Sequence, residues 1–105
     1  MDLTLPRGLR DLGPDDYEEL ERVRSIFIDV AEIFDFRLME PSPIEKLHTL
    51  EAKSGLGVRD EVYHFKDKGG RDVGLRFDLT IGLTRYVSSD RGLPLPVKLG
   101  SFSSM

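Results

Sequence analysis

The chain has 105 residues, 39% hydrophobic and 32% charged, which bounds it to one globular domain or a piece of one and excludes a disordered tail. Its net charge of −4 comes from 15 basic and 19 acidic residues that are intermixed, so no basic patch marks a nucleic-acid surface and direct RNA contact is not expected. Without cysteine there is no disulfide, thiolate metal site or cysteine nucleophile, and no apolar run approaches the roughly 20 residues of a membrane span.

Residues 1–13, with Pro6, Gly8 and Gly13, read as an extended opening segment. The start, MDLTLPRGLRD, has no hydrophobic signal region, which leaves the cytoplasm as the expected location. From Pro14 to Phe34 the apolar residues Leu20, Val23, Phe27, Val30, Ala31 and Phe34 recur at spacings of three and four, one stripe of an amphipathic helix. Pro14 suits the first turn, where its missing N–H has no partner to lose, and Asp15, Asp16, Glu18 and Glu19 lie near the positive helix end. Phe36 to Met39 reads as a short strand that runs into a rigid Pro41-Ser42-Pro43 corner.

The segment from Ile44 to Lys53 predicts a short helix with Leu47 and Leu50 inward, closed by Gly55. Val62 to Phe65, the turn Asp67-Lys68-Gly69-Gly70 and a strand from Val73 to Leu79 predict a β-hairpin. A helix is expected over Ile81 to Val87, broken by Leu93-Pro94-Leu95-Pro96. A last strand is expected from Val97 to Phe102. The chain stops inside or just after it, which reads as truncation, because a domain seldom ends on an unfinished strand.

No phosphate loop and no helical pair of metal-binding histidines is present. His48 and His64 lie in different elements without nearby ligand partners, so both read as structural, and no metal site is expected. The informative stretch is Leu75-Arg76-Phe77-Asp78-Leu79-Thr80. On a strand, Arg76, Asp78 and Thr80 would share one face, and Leu75, Phe77 and Leu79 the other. A carboxylate and a hydroxyl so placed could receive a primary ammonium group. An ordinary half-exposed strand with solvated side chains accounts for the same pattern.

The order of these features resembles the histidyl-tRNA synthetases, a family of class II aminoacyl-tRNA synthetases. Pro6-Arg7-Gly8-Leu9-Arg10-Asp11 followed by Pro14 is similar to the family's opening, and residues 14–43 are similar to motif 1, the helix and strand that build its dimer interface. Gly55, Asp60-Glu61, Tyr63, Phe65 and Asp67 to Arg71 match next, and then LRFDLT and Arg85-Tyr86. LRFDLT looks more like the archaeal and eukaryotic branch. With Ser42 between two prolines, the motif 1 proline falls at either Pro41 or Pro43.

The resemblance implies an α/β fold of α+β type, a partial class II core with helices on a mainly antiparallel sheet. It implies the amino-terminal part of a catalytic domain: opening segment 1–13, motif 1 at 14–43, hairpin and histidine-site strand at 62–80, and the start of the motif 2 strand at 97–105. Histidine-binding roles fall on Asp78, Leu79 and Thr80, with Arg76 as support, and no catalytic residue falls within the chain. The implied substrates are L-histidine, ATP with Mg, and the histidine tRNA, the last met through regions beyond this segment. A homodimer through the motif 1 helix and strand is also implied. The motif 2 arginine that meets the α-phosphate is not reached, so the chain alone is expected to be inactive. Two other readings share the pattern: the synthetase-like regulatory subunit of ATP phosphoribosyltransferase, and a dimerising interaction fragment.

Overall fold

The computed structural model describes residues 1–54, 57, 60–90, 92–93 and 96–104. Residues 1–13 are exposed throughout, with one turn at Pro6–Leu9. Helix α1 then runs from Pro14 to Ile33, with Pro14 in its first turn as expected. It ends where Asp35 adopts φ 63°. The Phe36 N–H donates to Ala31 O and the Asp35 N–H to Glu32 O, a two-bond closure of the last turn around a left-handed residue. Strand β1, Arg37–Leu38, pairs in parallel with β5, Leu99–Gly100. The expected strands Phe36–Met39 and Val97–Phe102 are therefore present as shorter ladders.

Residues 44–46, expected as the start of a helix, instead form strand β2 (Ile44–Lys46). The difference has a physical cause. Glu45 and Lys46 lie across from Gly74 and Val73 in an antiparallel ladder, and this pairing overrides local helix preference. Helix α2 follows as Leu47–Ser54, with Leu47 and Leu50 buried as the spacing predicts. Gly55, the expected helix stop, lies outside the described residues, as do Pro94 and Leu95.

The hairpin is formed by β3 (His64–Lys66) and β4 (Asp72–Leu75), and the three-stranded antiparallel sheet has the order β2-β4-β3. In its turn, Gly70 takes φ 81°. The Asp67 carboxylate accepts hydrogen bonds from the Gly69 and Arg71 N–H groups, each 2.9 Å long. Bonds from the backbone of Arg71 above all, with the Arg71 charge, hold the Asp67 carboxyl below its ordinary range.

The second strand of the hairpin does not reach Leu79. It ends at Leu75, and helix α3 begins at Thr80 and continues to Ser89. Ladder pairing to β2 ends where Ile44 faces Leu75, and the Arg76 N–H turns to Pro43 O at the proline corner.

The core is small: Leu50, Val62 and Ile81 form one buried cluster, with Leu47 and Val73 beside it. Gly74 lets the sheet close on it, since a Cβ there would stand 2.9 Å from Leu50 Cδ1 and 3.1 Å from Val62 Cγ1. Helix α1 contributes no buried residue. Phe27 meets the Phe102 ring at 5.4 Å between centroids, while Val23, Ile26 and Val30 of the same helix and Phe34 just after it are exposed. The radius of gyration is 16.9 Å against about 13 Å for an ordinary domain of this length, so the chain is spread rather than compact.

Candidate functional site

Asp78, Leu79 and Thr80 occupy the turn from β4 into α3 rather than one face of a strand. Leu79 already has helical torsions, φ −98° and ψ −17°, and its carbonyl accepts from the Leu83 N–H, so Asp78 stands in the position of a helix cap. Asp78 Oδ1 accepts the Ile81 N–H at 3.2 Å. Capping uses one carboxylate oxygen; among the described residues, Oδ2 takes no bond. Asp78 and Leu79 are half-buried and Thr80 is exposed, so a polar ligand reaches them without unfolding.

Strand alternation therefore does not put Asp78 and Thr80 on one face: the ladder stops at Leu75, and Asp78, Leu79 and Thr80 follow one another through the start of α3. Arg76 does not join them. Its side chain is 8% exposed and turns away to the proline corner, where Nη1 donates to Pro41 O at 2.8 Å. Nη2 donates to Glu40 Oε1 at 3.1 Å, Ser103 Oγ at 2.8 Å and Ser104 O at 2.7 Å.

Two residues that position this turn carried no signal in the sequence pattern. Gly82, buried in α3, abuts Pro41: a Cβ at Gly82 would stand 2.5 Å from Pro41 Cβ. Glu45 is buried on β2, with Arg85 Nε 2.7 Å from its Oε1 and the N–H not aimed along that line. An open groove of about 570 Å³ beside them is lined by His48, Thr49, Ala52, Ile81, Thr84 and Arg85. Among the described residues no group of three or more His, Asp or Glu could hold a metal ion. No described helix is long and apolar enough to cross a membrane.

A family model described as histidyl-tRNA synthetase matches residues 8–105. The histidine–tRNA ligase of Pyrobaculum islandicum is 39% identical over 100 residues, covering 95% of this chain and 24% of that protein. That of Archaeoglobus fulgidus is 35% identical over 105 residues, covering 99% and 26%. The chain therefore spans about a quarter of the length of the curated relatives it matches. Among solved structures, apo histidyl-tRNA synthetase of S. aureus superposes with a TM-score of 0.79 at 21% identity, covering 95% of this chain and 24% of that one. A Bacillus halodurans protein titled ATP phosphoribosyltransferase regulatory subunit/histidyl-tRNA synthetase also gives 0.79 at 21% identity, covering 98% and 27%. At that identity both superpositions speak to the fold alone.

Proposed function

The chain belongs to the histidyl-tRNA synthetase family, and we propose that it forms the amino-terminal part of the catalytic core of a histidine–tRNA ligase. In this reading the Asp78–Leu79–Thr80 turn receives the α-amino group of L-histidine. The observation that carries it is the division of labour on Asp78. Oδ1 is held by the Ile81 N–H and Oδ2 remains open, so the carboxylate is oriented before any ligand arrives. The ammonium would donate to Oδ2 and to the Thr80 hydroxyl, with Leu79 lining the site. A helix start is by itself a poor place for a cation, because its partial charge is positive. The Asp78 carboxylate is what reverses that preference.

The rest of the ligase reading follows from the family. ATP with Mg activates histidine to an adenylate, and the histidyl group passes to its tRNA in the cytoplasm. The magnesium is assigned to no residue of this chain. A homodimer through α1 and β1 would cover the exposed stripe of Val23, Ile26, Val30 and Phe34. The regulatory-subunit reading shares the fold, and the ligase relatives above favour the ligase.

The test separates charge from capping. Asn caps a helix about as well as Asp. Asp78→Asn therefore keeps the turn and removes the charge, and a charge-assisted bond is worth about 1.5–3 kcal/mol, or roughly ten- to a hundredfold in affinity. Calorimetric titration with L-histidine should show that loss at unchanged melting temperature. Imidazolepropionate, which lacks the amino group, should bind no better to the parent chain than to the variant. Equal histidine affinity in parent and variant would sink the assignment.

A further inference from the structure

Arg76 lies two residues before the acid assigned to the amino group, yet it contacts none of that turn. Its guanidinium is nearly buried and meets four acceptors from two segments: Pro41 O, Glu40 Oε1, Ser103 Oγ and Ser104 O. The Ser103 hydroxyl also donates to Glu40 Oε1 at 2.5 Å, which closes an Arg76–Glu40–Ser103 ring. Nη2 carries two hydrogens and faces three acceptors, so at least one hydrogen is shared and the head is fixed in direction. The backbone is held as well, since the Arg76 N–H donates to Pro43 O at 2.9 Å. A residue fixed at both backbone and side chain leaves little freedom to Phe77, the one residue that separates it from Asp78.

The partners matter as much as their number. Glu40 and Pro41 belong to the corner after β1, and Ser103 and Ser104 to the chain that leaves β5. The β1-β5 pair and the β2-β4-β3 sheet share no ladder. Arg76 thus ties the segment after β5 to the end of β4, where the turn to α3 begins.

Resting on the reading of Asp78 and Thr80 above, we propose that Arg76 is a positioning residue: it locks the amino-group turn to the segment after β5 at Ser103–Ser104, so that both keep one fixed relation. Lysine does not replace it, because a single ammonium cannot span the carbonyl of Pro41 and the Glu40–Ser103–Ser104 side at once. The hydrogen bonds from Ser103 first, and then Arg76, hold the Glu40 carboxyl below its ordinary range, as a formed ring requires.

Two readouts test this on the full chain: exchange protection of the Ile81 amide, which reports the Asp78 cap, and calorimetric affinity for L-histidine. Arg76→Met should lower Ile81 protection at least fivefold and weaken histidine by a similar factor, and Arg76→Lys should not restore either. Ser103→Ala opens the ring and Glu40→Gln removes its negative charge, both leaving Arg76 in place, and each should move both readouts in the same direction by a smaller factor. They keep the test decisive if Arg76→Met fails to fold. Unchanged Ile81 protection and affinity in Ser103→Ala and Glu40→Gln, with Asp78→Asn still losing histidine, would overturn the positioning role and spare the site. If the parent chain binds no histidine, the site reading falls, and Ile81 protection alone still decides whether Arg76 sets the turn.

Discussion

Gly82→Ala sets two effects of known sign against each other. On helix propensity alone, alanine inside α3 is favoured by about 1 kcal/mol over glycine. The structure opposes it. The new Cβ would lie 2.5 Å from Pro41 Cβ and 3.2 Å from Pro41 Cγ, where carbon atoms ordinarily rest about 3.5–4.0 Å apart. Pro41 is fully buried and its ring cannot swing aside, so α3 must move as a body. Overpacking of this kind costs about 1–3 kcal/mol, and an overlap near 1 Å against a rigid ring belongs at the upper end. The net expectation is a loss of about 1–2 kcal/mol, or a melting temperature lower by roughly 4–16 °C. Urea titration followed by circular dichroism measures the first, and a thermal scan the second. Ser88→Ala, at an exposed position of the same helix, serves as control and should stay within about 0.5 kcal/mol. Because α3 carries Thr80 and the Asp78 cap, histidine affinity should fall along with stability. A Gly82→Ala chain as stable as the parent would mean that α3 does not seat on the proline corner, and the geometry built on that seat would be wrong.

Leu50→Ala should remove about 2–5 kcal/mol, since Leu50 is fully buried at the centre of the only apolar cluster found among the described residues; a chemical melt checks it. Asp35→Val should destabilise by about 1–2 kcal/mol in the same assay, because a β-branched residue resists the φ of 63° that Asp35 tolerates. Acid should loosen the hairpin turn. The folded Asp67 carboxyl titrates below its ordinary value, so its contribution is complete above the ordinary carboxylate range and disappears as pH falls through the depressed value. Protection factors of the Gly69 and Arg71 amides, taken relative to intrinsic exchange at each pH, should hold at pH 5 and fall below the ordinary carboxylate range; a fall already above pH 5 would contradict this. Val30→Asp, on the exposed face of α1, should lower the solution mass by sedimentation if that face pairs two copies, and leave circular dichroism unchanged.

The long helix was legible because its apolar spacing, Pro14 and the acidic first turn all point the same way, and its end differs from expectation only by the turn at Phe34–Asp35. Leu47 and Leu50 were legible as inward residues even though the segment before them is a strand. Three residues are too few for a period, and the pairing that makes β2 extended lies some thirty residues away at Val73–Leu75. LRFDLT stood out in the sequence and was misleading as a strand. Its alternation of apolar and polar residues suits a strand face, but Asp78 is also a cap residue, and the cap prevails once the ladder to β2 has run out. Neither the Gly82–Pro41 contact nor the pairing of buried Glu45 with half-exposed Arg85 could be read, because both depend on which distant segments meet.

The division of the chain explains why a single arginine is given so much to hold. One part is α1 with β1 and β5, joined by the Phe27–Phe102 contact; the other is the three-stranded sheet with α2 and α3 around Leu50, Val62 and Ile81. The named apolar contacts lie within each part, whereas the seam is crossed by the proline corner and the Arg76 ring. Apolar packing is non-directional, so it sets spacing without fixing an orientation. Hydrogen bonds to a planar, buried guanidinium fix it, since both distance and angle are constrained. A seam of the second kind transmits position: where Ser103 and Ser104 go, the backbone of Arg76 follows, and with it the open oxygen of Asp78. If the amino group of histidine is held there, whatever the chain after β5 presents to the same substrate is set in register by the ring rather than by the core.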